Sequence, residues 1–94
     1  MSEDSCRADV WLWRARFFKT RSMAATFVEG GRVRLTRGGS QNRLDKPARA
    51  LKLSDELVFA LGGRLVAVRI EAFGDRRGPA AEAKTLYSDV PPPT

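Results

Sequence analysis

The chain has 94 residues, 43% hydrophobic and 30% charged, with a formal charge of +6. That length and composition lead us to expect one small folded domain with a single core rather than a disordered segment. With no histidine and one cysteine, Cys6, the chain has no Ser-His-Asp or Cys-His centre, no HExxH metal site, no thiolate zinc cluster and no internal disulfide.

Asp9 is placed to cap a first helix with its body at residues 10–18. At 100° per residue, Ala8, Trp11, Leu12, Ala15 and Phe18 share one face; Val10, Trp13 and Phe17 lie opposite, flanked by Arg14 and Arg16. A helix apolar on two sides is sandwiched in a core or uses one side for binding. Trp13 and Phe17 therefore either pack inside or stack on unpaired bases. Thr20 caps a second helix, residues 21–29, with Met23, Ala24, Phe27 and Val28 on its core face and Gly30-Gly31 at its end. Only a residue or two around Lys19-Thr20 separates the helices in this reading, which predicts a tight corner. The free N–H groups of the second helix then stand beside Lys19 and Arg21 as an anion site.

Residues 32–37 alternate, with Val33 and Leu35 on one side and Arg32, Arg34 and Thr36 on the other, as in a half-buried strand. Residues 38–42 read as a polar turn. Lys46-Pro47 cannot lie in a central strand, because proline lacks the ladder donor. Residues 49–53 read as a short strand and Ser54-Asp55-Glu56 as a solvated turn. Residues 57–61 and 64–72, joined by Gly62-Gly63, form a two-residue hairpin. Residues 74–78 are a basic loop, Pro79 opens a last helix at about residues 80–87, and residues 90–94 are a loose tail. The three Gly-Gly pairs read as turns; no Gly-x-x-x-x-Gly-Lys or GxGxxG phosphate loop is present.

The charge is concentrated. Residues 7–52 carry twelve basic groups against three acids, whereas residues 53–94 carry five against six. Most of the cations are arginines, whose planar fork suits phosphate, so the first half has the footprint of a polyanion-binding surface. No uncharged apolar run reaches the roughly 20 residues of a membrane helix. Nor does a helix pair a basic face with a clean apolar one, so no membrane partner is expected. The acidic start Met1-Ser2-Glu3-Asp4 has the wrong order for a secretory signal, and a cytoplasmic address is expected.

Arg7-Ala8-Asp9-x-x-Leu12, Thr20-Arg21-x-x-Ala24, Val28-x-x-Gly31-x-Val33-x-Leu35, Lys46-Pro47 and Asp55-Glu56-Leu57 resemble the RNA-binding domain first defined in small-subunit ribosomal protein S4. Two further strings bring the chain closer to one branch. These are Trp11-Leu12-Trp13-x-Ala15-Arg16-Phe17-Phe18-Lys19-Thr20-Arg21 and Arg76-Arg77-x-Pro79-Ala80-x-Glu82-Ala83 with Leu86-Tyr87. That branch is the ribosome-associated heat-shock protein 15 family, and the resemblance covers residues 7–87.

The resemblance implies an α+β fold: two N-terminal helices packed on a small curved, mostly antiparallel sheet, plus a C-terminal helix. Residues 7–73 would form the RNA-binding domain and residues 74–88 a loop and helix packed on it, with residues 1–6 and 89–94 as loose tails. It also implies a bacterial, non-enzymatic protein without cofactor or metal. Such a protein binds structured RNA on free large ribosomal subunits that still carry peptidyl-tRNA, in a heat-shock and rescue role. The implied RNA face comprises Arg7, Arg14, Arg16, Lys19, Thr20, Arg21, Arg32, Arg34, Lys46 and Arg49, with Arg76 and Arg77 as additional contacts.

Three features depart from the family pattern. Ala8 stands where leucine is usual, Val10 replaces a lysine, and residues 37–43 replace a tight Asn-Gly turn. The expected partners are large-subunit ribosomal RNA and tRNA, with DNA as a further nucleic-acid partner, and the expected state is a monomer. The rival reading is a generic nucleic-acid-binding or protein-interaction domain with no ribosomal role. Duplex DNA bound as tightly as folded RNA would favour that rival.

Overall fold

Residues 4–91 are described, in a computed structural model. The elements in chain order are β1 (Cys6–Arg7), α1 (Ala8–Arg14), α2 (Arg21–Glu29), β2 (Val33–Arg37), β3 (Ser40–Leu44), β4 (Ala50–Leu51), β5 (Glu56–Leu61), β6 (Arg64–Ile70), α3 (Ala80–Ala83) and β7 (Tyr87–Asp89). A 3-10 turn, Lys84–Leu86, joins α3 to β7. Among the described residues five strands form an antiparallel sheet in the order β3-β2-β5-β6-β7, and β1 pairs with β4. The fold is α+β, as the resemblance implies.

Alternation sets the faces. Val33 and Leu35 of β2, Leu57 and Phe59 of β5, and Val68 and Ile70 of β6 are buried. They join Trp11, Leu12, Ala24 and Val28 of the two helices in one core. The Trp11 indole is buried but satisfied, donating to the Ala72 carbonyl at 2.9 Å. Phe17 is resolved in favour of packing: it meets Phe59 edge-on at 5.4 Å and lies 5.0 Å from Tyr87. Trp13 is half-buried on α1.

Both strand pairs joined by Gly-Gly are hairpins of one kind. Gly38 and Gly39 have φ of 58° and 80°, and Gly62 and Gly63 have φ of 59° and 80°. Two successive positive φ values make the tight turn whose twist suits paired strands, and glycine adopts them without steric cost. The second hairpin is as expected. The first corrects the polar turn expected at residues 38–42, because Ser40–Leu44 is a strand paired with β2 from Arg37↔Ser40 to Val33↔Leu44. As a solvated edge it buries Leu44 alone and so carries no apolar alternation.

The first helix is shorter than expected. It stops at Arg14, and residues 15–20 form an irregular link where a one- or two-residue corner was expected. The Arg16 N–H bonds the Trp13 carbonyl at 3.0 Å and the Phe17 N–H the Leu12 carbonyl at 3.1 Å. That is a Schellman closure, which needs a left-handed residue, and Arg16 supplies it at φ 67°. Because arginine stands where glycine is usual, the stop is hidden in the sequence.

The C-terminal region also differs. α3 is a single turn, and Tyr87, expected in a helix, begins β7, pairing with Ile70. Asp89 pairs with Val68, and the Val90 N–H bonds the Ala67 carbonyl at 3.0 Å. Cys6 pairs with Leu51. Cys6 and Asp89, assigned to loose tails from sequence, are strand residues, and Val90 bonds the sheet from just beyond β7; residues 1–3 and 92–94 of those tails lie outside the described residues. No helix among the described residues is long and apolar enough to cross a membrane.

Candidate functional site

The N-terminus of α1 gathers cations from three parts of the chain. Asp9 does not cap this helix as expected: Arg7 occupies the N-cap with no side-chain cap bond. Instead the loop after β3 closes the helix mouth with its own backbone. The Pro47 carbonyl accepts from the Asp9 N–H at 3.1 Å and the Arg49 carbonyl from the Ala8 N–H at 2.9 Å. This satisfies first-turn donors that would otherwise be orphaned and holds Lys46 and Arg49, both exposed, beside the helix. Proline therefore sits in a loop, as its missing donor requires.

Asp9, buried in the first turn, turns its carboxylate to arginine. Arg7 Nε and NH2 donate to its two oxygens at 3.1 Å each, and Arg21 NH2 stands 3.9 Å away. Burial alone would push the Asp9 carboxyl up. The bond and charge of Arg7, the Val10 N–H and the charge of Arg21 outweigh it and hold the group below its ordinary value. The same bond, with the Asp9 charge, raises Arg7. Both arginine side chains remain about half exposed, at 52% and 51%, so each keeps donors facing outward.

α2 begins beside them. The Thr20 side chain accepts from the Met23 N–H at 3.0 Å, a cap that leaves the Arg21 and Ser22 N–H groups at the helix mouth. Lys19, one residue earlier, is exposed and makes no ion pair among the described residues. Arg7, Lys19, Thr20, Arg21, Lys46 and Arg49 are thus brought together.

Other arginines singled out in the sequence are placed differently. Arg14 donates to the Gly74 carbonyl at 2.9 Å and Arg16 to the Gly78 carbonyl at 2.8 Å. Arg77 reaches the Phe18 carbonyl at 3.5 Å, and Arg76 pairs with Glu82 at 2.9 Å. Arg14, Arg16 and Arg77 fasten the loop before α3 to the first helix and its link. Arg32 lies over the Phe27 ring at 5.6 Å. Arg34 projects from the opposite face of the sheet to Val33 and Leu35.

Two features were missed by sequence reasoning. Asp55, expected in a solvated turn, is 2% exposed. It accepts Arg37 Nε at 2.8 Å, Arg37 NH2 at 2.6 Å and the Lys52 N–H at 2.8 Å. Arg37 also donates to the Ala50 carbonyl at 3.1 Å, joining β2, β4 and the start of β5. Arg43, not singled out, lies directly across from Arg34. The hairpin register was the signal that could have found it. No group of three or more Cys, Asp or Glu among the described residues is arranged to hold a metal.

Comparison with known proteins places this geometry. The family model of the S4 domain matches residues 6–35, the stretch running from β1 through the helix mouth into β2. Heat shock protein 15 of Escherichia coli is 36% identical over 84 residues, covering 89% of this chain and 59% of that protein. The heat shock protein 15 homolog of Haemophilus influenzae is 35% identical over 90 residues, 96% of this chain and 65% of that protein. The chain therefore spans about three-fifths of the length of the E. coli relative (59%). The trimeric structure of Vibrio cholerae heat shock protein 15 superposes with a TM-score of 0.79 at 36% identity, covering 92% of this chain and 82% of that one.

Proposed function

The chain belongs to the heat shock protein 15 family, and on that premise we propose that it is a non-enzymatic, cytoplasmic RNA-binding protein that docks its helix mouth on phosphates of structured RNA. The observation that carries this reading is the gathering of Arg7, Lys19, Arg21, Lys46 and Arg49 around two helix N-termini, with Asp9 as a buried brace. A phosphate placed there meets arginine donors that Asp9 orients but does not exhaust, together with the Arg21 and Ser22 N–H groups of α2, since those of α1 are already bonded to the loop. Contacts to phosphate set affinity and register. Shape is read more than sequence, because the A-form major groove is too deep and narrow for side chains.

The RNA we assign is ribosomal, on the free large subunit that carries peptidyl-tRNA after premature dissociation. The role is rescue during heat shock, as the family resemblance implies. One copy of the chain is the binding unit in this proposal.

Three experiments test it. With about five phosphates neutralised, log K falls with log salt at a slope of roughly −3.5 to −4.5; a flat response sinks the reading. On a sucrose gradient of lysate, the protein is expected with free large subunits at low salt and at the top at high salt. Sedimentation at the top in both salts removes the ribosomal assignment. Duplex DNA bound as tightly as folded RNA would replace it with a generic nucleic-acid-binding role.

A further inference from the structure

The sheet has two faces, and the helices cover only one. On the uncovered face, Arg34 of β2 and Arg43 of β3 are direct cross-strand partners, and both are exposed. Like charges directly opposite in a sheet oppose folding. Neither arginine makes an ion pair among the described residues. Their row continues into Val58 and Ala67, which supply no countercharge. The adjoining row is built the other way: Glu56 stands opposite Arg69 and accepts from it at 3.1 Å. One row of this face is charge-matched and its neighbour is left doubly positive.

Arg43 is also guided. Its stem runs over Gly31, where an added Cβ would come within 3.3 Å of Arg43 Cδ, and Gly31 has φ +73°. The backbone beneath is bare where the arginine crosses it.

We propose that Arg34 and Arg43 form a second RNA-backbone contact on the uncovered face of the sheet, separate from the helix mouth. This rests on the RNA-binding reading above. Val33 and Leu35, which flank Arg34 in the strand, point into the core beneath the helices. Arg34 therefore projects away from the helices, on the side of the sheet that the core does not line. The ligand this arrangement fits is a folded RNA that presents two backbone segments, one to each face. The unopposed arginine pair, unfavourable in the free protein, is relieved when each guanidinium group takes a backbone phosphate.

The test uses the full chain and bulk transfer RNA as a structured probe. Arg43→Glu places a carboxylate opposite Arg34. The free protein is expected to melt about 1–5 °C higher, while the salt slope becomes shallower by roughly 1.4–1.8, the share of two phosphates. Arg43→Gln removes one cation and is expected to shallow the slope by about 0.7–0.9. A gain in melting temperature with a loss of RNA affinity is the signature, since a merely structural arginine would lose both. Wild-type binding with unchanged slopes in both variants overturns this inference alone, as does a lowered melting temperature in both. Failure of the wild-type chain to bind transfer RNA at any salt overturns the RNA-binding reading and this inference with it.

Discussion

Two buried aspartates, each paired with arginine, serve opposite ends. At the junction of β2, β4 and β5, Asp55 is saturated by both donors of Arg37 and by the Lys52 N–H, and Arg37 spends a further bond on the Ala50 carbonyl. At the mouth of α1, Asp9 holds Arg7 by a two-point contact and attracts Arg21 from 3.9 Å, and the two arginines remain half exposed. The first cluster is closed: Asp55 is buried and accepts three bonds, and three of Arg37's five N–H donors are spent within the fold, so its product is stability. The second is open: the acid orients more cation than it neutralises, so its product is a preorganised anion site. Counting arginines in a sequence cannot separate the two, because the difference lies in what the remaining N–H groups face.

The largest break in this comparison is expected at the closed cluster. Asp55→Ala strands the part-buried Lys52 N–H and the Arg37 fork, and should cost about 3 kcal/mol in urea unfolding. The salt slope of the molecules that remain folded should not change. Asp9→Ala should cost less, about 1 kcal/mol, because its half-exposed arginines can return to water. RNA affinity should nevertheless fall, since the two guanidinium groups lose their common brace; undiminished affinity would show that the brace does not preorganise the site.

Acid titration separates the same two properties. The Asp9 carboxyl is held below its ordinary value in the folded state, so its contribution is complete above the unfolded value. That contribution is lost as pH falls through the folded value, in the range below about pH 4. With no histidine in the chain, stability and salt slope should both be flat from about pH 6 to 8; a step in that window would point to a titrating group outside this account. The smallest effect is expected from Arg21→Ala. Arg7 still pairs Asp9, so stability should move by less than about 0.5 kcal/mol, and the slope should become shallower by about 0.7–0.9.

Much of the fold was legible because it depends on local rules. Thr20 caps α2, alternation marks β2, and Gly62-Gly63 makes the second hairpin, each read from neighbouring residues and each present. The elements misread are those that break a local rule for a tertiary reason. Arg16 takes a left-handed conformation usually given to glycine while its side chain bonds the Gly78 carbonyl, so α1 ends four residues before the expected Phe18. β3 and β7 are the two edges of the sheet, the first polar and the second only three residues long, so neither carries an apolar alternation to read. Asp55 looks like a surface turn until Arg37, 18 residues earlier, closes on it.

By itself, then, the sequence determined the fold class and the charge pattern: two helices ahead of a mostly antiparallel sheet, cations concentrated in the first half, no histidine and one cysteine, and a family resemblance carried by spaced motifs. Tertiary structure alone decided the division of labour among the arginines. Lys46 and Arg49 meet Arg7 and Arg21 only because loop carbonyls close the α1 mouth, and Arg34 and Arg43 meet only through the register of a hairpin. A charge pattern along the chain records how many cations there are. Which of them are spent on carbonyls and carboxylates, and which still face outward, is set by contacts between residues far apart in sequence.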